Sequence, residues 1–257
     1  MAKVVNQIKQ KNQVENGIKR SNKIIYFALI LGFCLIISAA IASYTFYIVR
    51  LPEETLAVTG SVREKVTSDL VKWTSGFSRT VPASDLILGY QQMEQDKNLV
   101  IDFFKENGYQ EEDINISPVF MEQLYLYDPN APEENILRQT VVIQSNDVEK
   151  ITYMAKNTQK LIDSGVIFSI QSLEYYYTKL PEIRIELIPE AIGDAKMRAQ
   201  KIAEGSGKEL GTIKSANLGV VQVLPVNSTE VSDWGTYDTS TIEKEVMIPV
   251  TVIFTLK

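Results

Sequence analysis

"AIGDAKMRAQKIAEGSGKELG", residues 191–211, sets alanine at 191, 195, 199 and 203 and then places three glycines within seven residues. Four residues on a 3.6-residue helix advance 400°, so each alanine is displaced about 40° from the one before and the small side chains form a gently winding ribbon. A ribbon without bulk lets a helix axis lie close to a sheet or another helix. Ala191, Ala195, Ala199 and Ala203 are therefore read as a packing stripe, flanked by Ile192 and Ile202 as apolar area. Asp194 and Arg198 pair at i,i+4 on the wet side. Gly205 and Gly207 end the helix in a left-handed cap. "GSGKE" is not a phosphate-cradling loop, because Ile202 stands where that motif needs glycine, Glu209 where it needs Ser or Thr, and it follows a helix instead of preceding one. "GSGKELG" likewise fails as a dinucleotide fingerprint, being one residue too long and lacking a strand before it.

Around this helix the chain alternates strands and helices. "TLAVTGSV" (55–62) and residues 70–81 read as strands with one apolar face. A long helix follows from Ser84, its N-cap, to Gly108, with Leu86, Tyr90, Met93, Val100, Phe103 and Phe104 at helical spacing. "INISPVFMEQLYLY" reads as a strand before the turn "DPNAPEEN". "ILRQTVVIQS" is the next strand. Asn146 or Ser145 caps a helix whose inner stripe is Val148, Ile151, Ala155, Thr158 and Ile162, and "VIFSIQSLEYYYT" is a strand. The alanine helix starts near Leu180-Pro181, with Pro189 expected to kink or split it. Two strands, 212–224 and 243–256, finish the chain around a polar loop at 226–242. Pro249 places the last strand at an edge or at a bulge.

"VTGSVREKVTSDLVKWTSGF" (58–77), "DVEKITYMAKNTQKLIDSGVIFSI" (147–170) and "AIGDAKMRAQKIAEGSGKELGTIKSANLGV" (191–220) together resemble the SIMPL-domain family, over about Leu56 to Leu256. The family pattern is a V-x-G opening strand, a Gly-led strand after the middle helix, and an alanine-spaced helix with a glycine stop. Ser68 stands before Asp69 where many relatives have proline. The resemblance implies an exported or membrane-anchored protein of two α+β subdomains. Some relatives form ring-like homo-oligomers, some are linked to envelope stress, and no catalytic residues carry over. The expected fold is α+β: an N-terminal transmembrane helix, then a two-layer sandwich of mainly antiparallel sheets with packed helices in two subdomains.

The N-terminal quarter sets location. Residues 24–49, from Ile24 to Val49, hold no charge, and a helix of that length rises about 39 Å, enough to cross a bilayer core with some tilt. Residues 1–23 carry six Lys or Arg against Glu15 alone, a net +5 that directs the N-terminus to the cytoplasm and everything after Arg50 outside. The competing reading is a secretory signal cleaved after Ala40-Ile41-Ala42. The organisation expected is a basic leader (1–23), a single-pass inner-membrane helix (24–49), a linker (50–54) and an ectodomain (55–257). From Arg50 onward 20 basic face 31 acidic residues, a net −11 that argues against nucleic acid as a partner.

Chemistry is sparse. The chain has no histidine, and its one cysteine, Cys34, lies in the apolar segment, so thiol, triad and zinc chemistry lack their usual groups. The acidic run Glu111, Glu112, Asp113 reads as a solvated turn, since Pro118 stands where a calcium loop needs glycine. No cofactor and no metal are expected. Tyr125, Tyr127 and Tyr175 to Tyr177 read as core or subunit contacts. Trp234 and Tyr237, in the 226–242 loop, are the candidate partner-binding residues. The leading expectation is a non-enzymatic, membrane-anchored protein that self-assembles. Two alternatives stand beside it: a ligand-binding or carboxylate-dependent enzymatic domain with a cleft between subdomains, and a docking protein for another envelope protein.

Overall fold

The computed structural model describes residues 2–49, 54–124 and 133–257, the first of these as backbone alone up to residue 25. Most of the 50–54 linker, Tyr125, Tyr127 and the following turn to Pro132 lie outside the described residues. Two units result, Met1–Glu54 and Thr55–Lys257. The first is helix α1, Ala2–Val49. Its segment Tyr26–Val49, 24 residues of mean hydropathy 2.3, is long and apolar enough to cross a membrane.

The second unit is α+β and holds two antiparallel sheets, one covered on a face by a single helix and the other by three. In the first sheet β9 (Glu243–Leu256) is central, pairing β1 (Thr55–Thr67) on one side and both β7 (Leu210–Leu218) and β8 (Gln222–Pro225) on the other. Alternation sends Val246, Ile248, Val250, Val252 and Phe254 of β9 inward, none more than 2% exposed. Helix α5 (Leu180–Gly205) lies over this face, and Ala191, Ala195, Ala199 and Ala203 are all buried. The reason for the alanines is the strand beneath them. A Cβ on Gly60 of β1 would stand 2.3 Å from the Ala195 amide nitrogen and 2.4 Å from the Ala191 carbonyl oxygen, so helix backbone rests directly on strand backbone. Gly207, at φ +73°, then ends α5: its N–H donates to Glu204 O at 3.1 Å and that of Lys208 to Ala203 O at 3.0 Å.

The second sheet has β5 (Glu134–Ser145) and β2 (Leu70–Pro82) at its centre, β6 (Ile167–Tyr176) at one edge, and the short β3 (Ile114–Ile116) and β4 (Phe120–Leu124) along the other. Helices α2 (Leu86–Glu106), α3 (Val148–Lys156) and α4 (Gln159–Asp163) cover one face around Trp73, Phe77, Phe104, Leu137 and Ile143. The Trp73 and Phe104 rings meet edge-on with centroids 5.2 Å apart. Both expected β-α-β stretches therefore build one sheet. At Ser68-Asp69 the chain passes from sheet to sheet without β1 and β2 pairing to each other. Ser68 N–H donates to Ile242 O at 2.9 Å, just ahead of β9, and Asp69 N–H to Tyr176 O at 2.9 Å in β6.

Several local expectations are corrected. Asp147, not Asn146 or Ser145, caps α3, its carboxylate accepting from Lys150 N–H at 3.0 Å. Ser84 lies in a 3-10 turn ahead of α2 and Asp85 is the N-cap. Ile162 and Ile202 are half exposed, and Thr158 sits at the break between α3 and α4. Within 114–124 the expected strand is two short ones, β3 and β4, and the 212–224 strand is β7 and β8. Pro189 lies inside an unsplit α5. Pro249 is in a central strand. Its missing donor falls between the end of β7 at Leu218 and the start of β8 at Gln222, where Gly219 N–H donates to its carbonyl at 2.8 Å.

Close backbone contact makes added bulk costly on both sides of it. Gly60→Ala and Ala199→Leu are each expected to lower stability by about 1–3 kcal/mol through overpacking. Lys201→Ala, at a side chain 81% exposed, is expected to change it by less than about 0.5 kcal/mol. Denaturant unfolding of the full chain in detergent micelles measures all three, and equal effects would rule out close packing as the reason for the ribbon.

Candidate functional site

Residues 226–242 leave β8 at Pro225 and return to β9 at Glu243, and a set of buried polar groups holds them down. Gln222, 1% exposed, acts as a backbone substitute: its amide donates to Ser232 O at 2.8 Å and its carbonyl accepts from Ser232 N–H at 3.4 Å. Val223 then brackets Tyr237, accepting from Asp238 N–H and donating to Thr236 O, both at 2.8 Å. Between these clamps, Ser232–Gly235 closes a turn with Gly235 N–H on Ser232 O at 3.1 Å and Gly235 at φ +87°. Trp234 stands on that turn 94% exposed.

The sequence paired Trp234 with Tyr237, and the structure separates their roles. Tyr237 faces the domain: its hydroxyl accepts from Tyr177 N–H at 2.9 Å, and its ring lies 6.0 Å from that of Tyr176. Tyr175 N–H donates to Thr239 O at 2.8 Å. The loop thus bonds to β8 of one sheet and β6 of the other. The neighbouring tyrosines are structural too, Tyr175 buried among the second sheet's core residues and Tyr177 packed against the first sheet's core.

Beneath the loop lies a buried ion pair absent from the sequence-derived candidates. Lys244 is fully buried, with Nζ 3.1 Å from Asp238 Oδ2 and a further bond to Thr241 O. Burial by itself raises the Asp238 carboxyl. Donors from Thr241, Ser240 and Lys244 outweigh that and hold it well below the usual carboxylate range. Burial pushes the Lys244 ammonium down, partly offset by Asp238. A second pair, Arg79 to Asp96, bridges β2 and α2 in bidentate geometry at 2.6 and 2.7 Å. A sequence signal existed for both. Lys244 is in phase with the buried Val246-to-Phe254 face, Arg79 with Val71, Trp73 and Phe77, and Asp96 with the Met93, Val100 and Phe103 stripe. A charge in phase with a buried face needs a partner.

The counterpart of a carboxylate-lined cleft between subdomains is an open groove at the sheet junction lined in part by Asp147, Glu149, Ile242 and Glu243. Two of its carboxylates have structural duties. Asp147 caps α3, and Glu243 accepts from Thr67 Oγ1 at 3.0 Å. Around it, Asp69 accepts twice from Thr178 at 2.8 Å and Asn146 donates to Asp69 O at 2.8 Å. The acidic run is also occupied. Glu111 pairs with Lys105 at 2.6 Å and Asp113 accepts from Gln110 N–H at 3.0 Å. Among the described residues no three His, Cys, Asp or Glu side chains gather to hold a metal.

This chain belongs to the SIMPL family: the model described as "Protein of unknown function (DUF541)" matches residues 56–253. No curated protein matches the sequence.

The buried pair yields a two-step prediction. Asp238→Ala strands a buried ammonium and is expected to cost about 3–5 kcal/mol, whereas adding Lys244→Met to it restores much of the loss. The native Asp238 contribution is complete above the ordinary carboxylate pKa and disappears only as pH falls below it towards the depressed native value. Unfolding midpoints of the single and double variants, measured at neutral and acid pH, check both statements.

Proposed function

We propose that this SIMPL protein works by association and not by turnover, as a single-pass protein of the cytoplasmic membrane whose ectodomain lies outside and self-assembles. The observation carrying self-assembly is an apolar run left in water at the start of α2. In "LILGY" (86–90), Gly89 is buried against Val81 and Leu137, which turns its neighbours outward: Ile87 is 80% exposed, Leu88 52% and Tyr90 42%. Met121 of β4, the partner of Leu137 in register, is 44% exposed. Consecutive exposed apolar residues on a well-formed helix have no folding rationale and mark an interaction surface. Four such side chains are far fewer than the roughly 20–30 residues a side of a standard stable interface. Confinement of copies to one membrane supplies the effective concentration that a small patch lacks.

Association without turnover fits the way the polar groups are used. The buried charges Asp96, Lys244 and Glu245 are paired, Asp147 caps α3 and Glu243 accepts from Thr67. The +5 leader beside the apolar helix supports this orientation, since Lys and Arg on short flanks stay on the cytoplasmic side.

Two measurements test this reading. The detergent-extracted full chain is expected to run as an oligomer at micromolar concentration. Ile87→Glu with Leu88→Glu should weaken that association at least about tenfold, or 1.4 kcal/mol, without lowering the unfolding midpoint. A strict monomer would overturn self-assembly. Protease added to intact cells with a permeable outer layer is expected to digest the ectodomain and leave the helix and leader. An ectodomain protected until the membrane is broken would invert the topology.

A further inference from the structure

Among the large apolar side chains of the described residues, Trp234 is the most exposed, and it is held out rather than left loose. Gln222 fixes Ser232 on one side of the turn and Val223 fixes Thr236 on the other, while a Cβ on Gly235 would stand 2.7 Å from Val220 Cγ1. The turn therefore packs on the domain while the indole projects. Val231 and Val220, 57% and 47% exposed, add apolar area next to it in sequence and at Gly235. A rigid aromatic anchor has already met part of the ordering cost of binding, and tryptophan is the residue type most often found to dominate interfaces.

The charge around the indole selects the class of partner. Residues 226–241 contain no Lys or Arg and three acids, Glu230, Asp233 and Asp238. Asp238 is matched by Lys244. Arg63 reaches the loop at Ser228 O, but its guanidinium lies 3.4 Å from Glu245. Glu230 and Asp233 are left as the charges flanking the tryptophan. A second copy meeting through the same face would set Glu230 and Asp233 against their own counterparts, and an anionic lipid surface would be repelled by the same two carboxylates. We propose that Trp234, with Glu230 and Asp233, is the anchor of a docking surface for a polypeptide segment presenting Arg or Lys beside aliphatic side chains. The cation lies over the indole face or against the carboxylates, and the aliphatic groups cover Val220 and Val231. This surface is independent of the Ile87–Tyr90 patch and of self-assembly.

The two tryptophans make the test direct, because Trp73 is 1% exposed and silent to a neutral quencher while Trp234 is open to it. The full chain, in discs of zwitterionic lipid, is titrated with a labelled peptide of alternating Arg and Leu. Controls are a Glu–Leu peptide of the same length and phosphatidylserine vesicles. The Arg–Leu peptide is expected to shift Trp emission to the blue and protect it from acrylamide. Trp234→Ala should weaken peptide binding at least about tenfold with no change in unfolding midpoint, and Glu230→Lys with Asp233→Lys should abolish it. The proposal is overturned if the Arg–Leu peptide leaves Trp234 unprotected or binds Trp234→Ala as tightly as the native chain. It is equally overturned if the Glu–Leu peptide or the vesicles protect Trp234 as well as the Arg–Leu peptide does.

Discussion

The meeting of α5 with β1 at Gly60 governs the first sheet. Helix and strand backbones touch there, with no side chain between them, which requires glycine on the strand and alanine on the helix at once. Approach this close brings Asp194 to the rim of β1, where its carboxylate accepts from Ser61 N–H at 2.9 Å. That N–H points away from β9, because Ser61 faces Pro249 in a pair whose ladder groups are turned outward. The bond from Ser61, together with Arg198, holds Asp194 below the usual carboxylate range. One contact thus fixes the helix, covers part of an edge and explains why the V-x-G strand and the alanine helix occur in one chain.

Other edges are blunted in their own ways. The register of β7 shifts twice against β9, β6 carries an irregularity opposite Thr74 and Ser75, and β3 and β4 are short. Bulged, short or covered edges discourage strand addition from another molecule. Strand addition is thereby disfavoured, and the two surfaces proposed for association among the described residues are side-chain surfaces of contrasting character. One is an aliphatic helix start at Ile87–Tyr90. The other is an acidic, aromatic turn at Trp234.

The 226–242 loop joins the two sheets more than it decorates them. Its base bonds to Val223 in one sheet and Tyr175 in the other, and Asp238 neutralises a lysine that would otherwise sit uncompensated among core residues. The buried pair is costly to break and adds little over an apolar replacement, so its value lies in fixing the conformation of the loop. Polar satisfaction of this kind turns a long connection into a scaffold for one exposed ring.

The order of strands and helices, the apolar N-terminal helix, the inward face of β9 and the burial of all four alanines were legible in the sequence, because each depends on spacing along one element. The reason for the alanines was not, since it resides in Gly60, more than 130 positions away. Pairing order was equally hidden: alternation in residues 243–256 reveals a buried face but not that both β7 and β8 share one side of the strand, which is what makes Pro249 acceptable in its middle. Trp234 and Tyr237 looked alike as aromatics in a polar loop. Only the fold, by supplying the Tyr177 backbone to one and water to the other, separated a clamp from an exposed anchor. Periodicity reports how an element meets its surroundings, while the partner that satisfies a buried charge or permits a close approach comes from a distant part of the chain that no local pattern encodes.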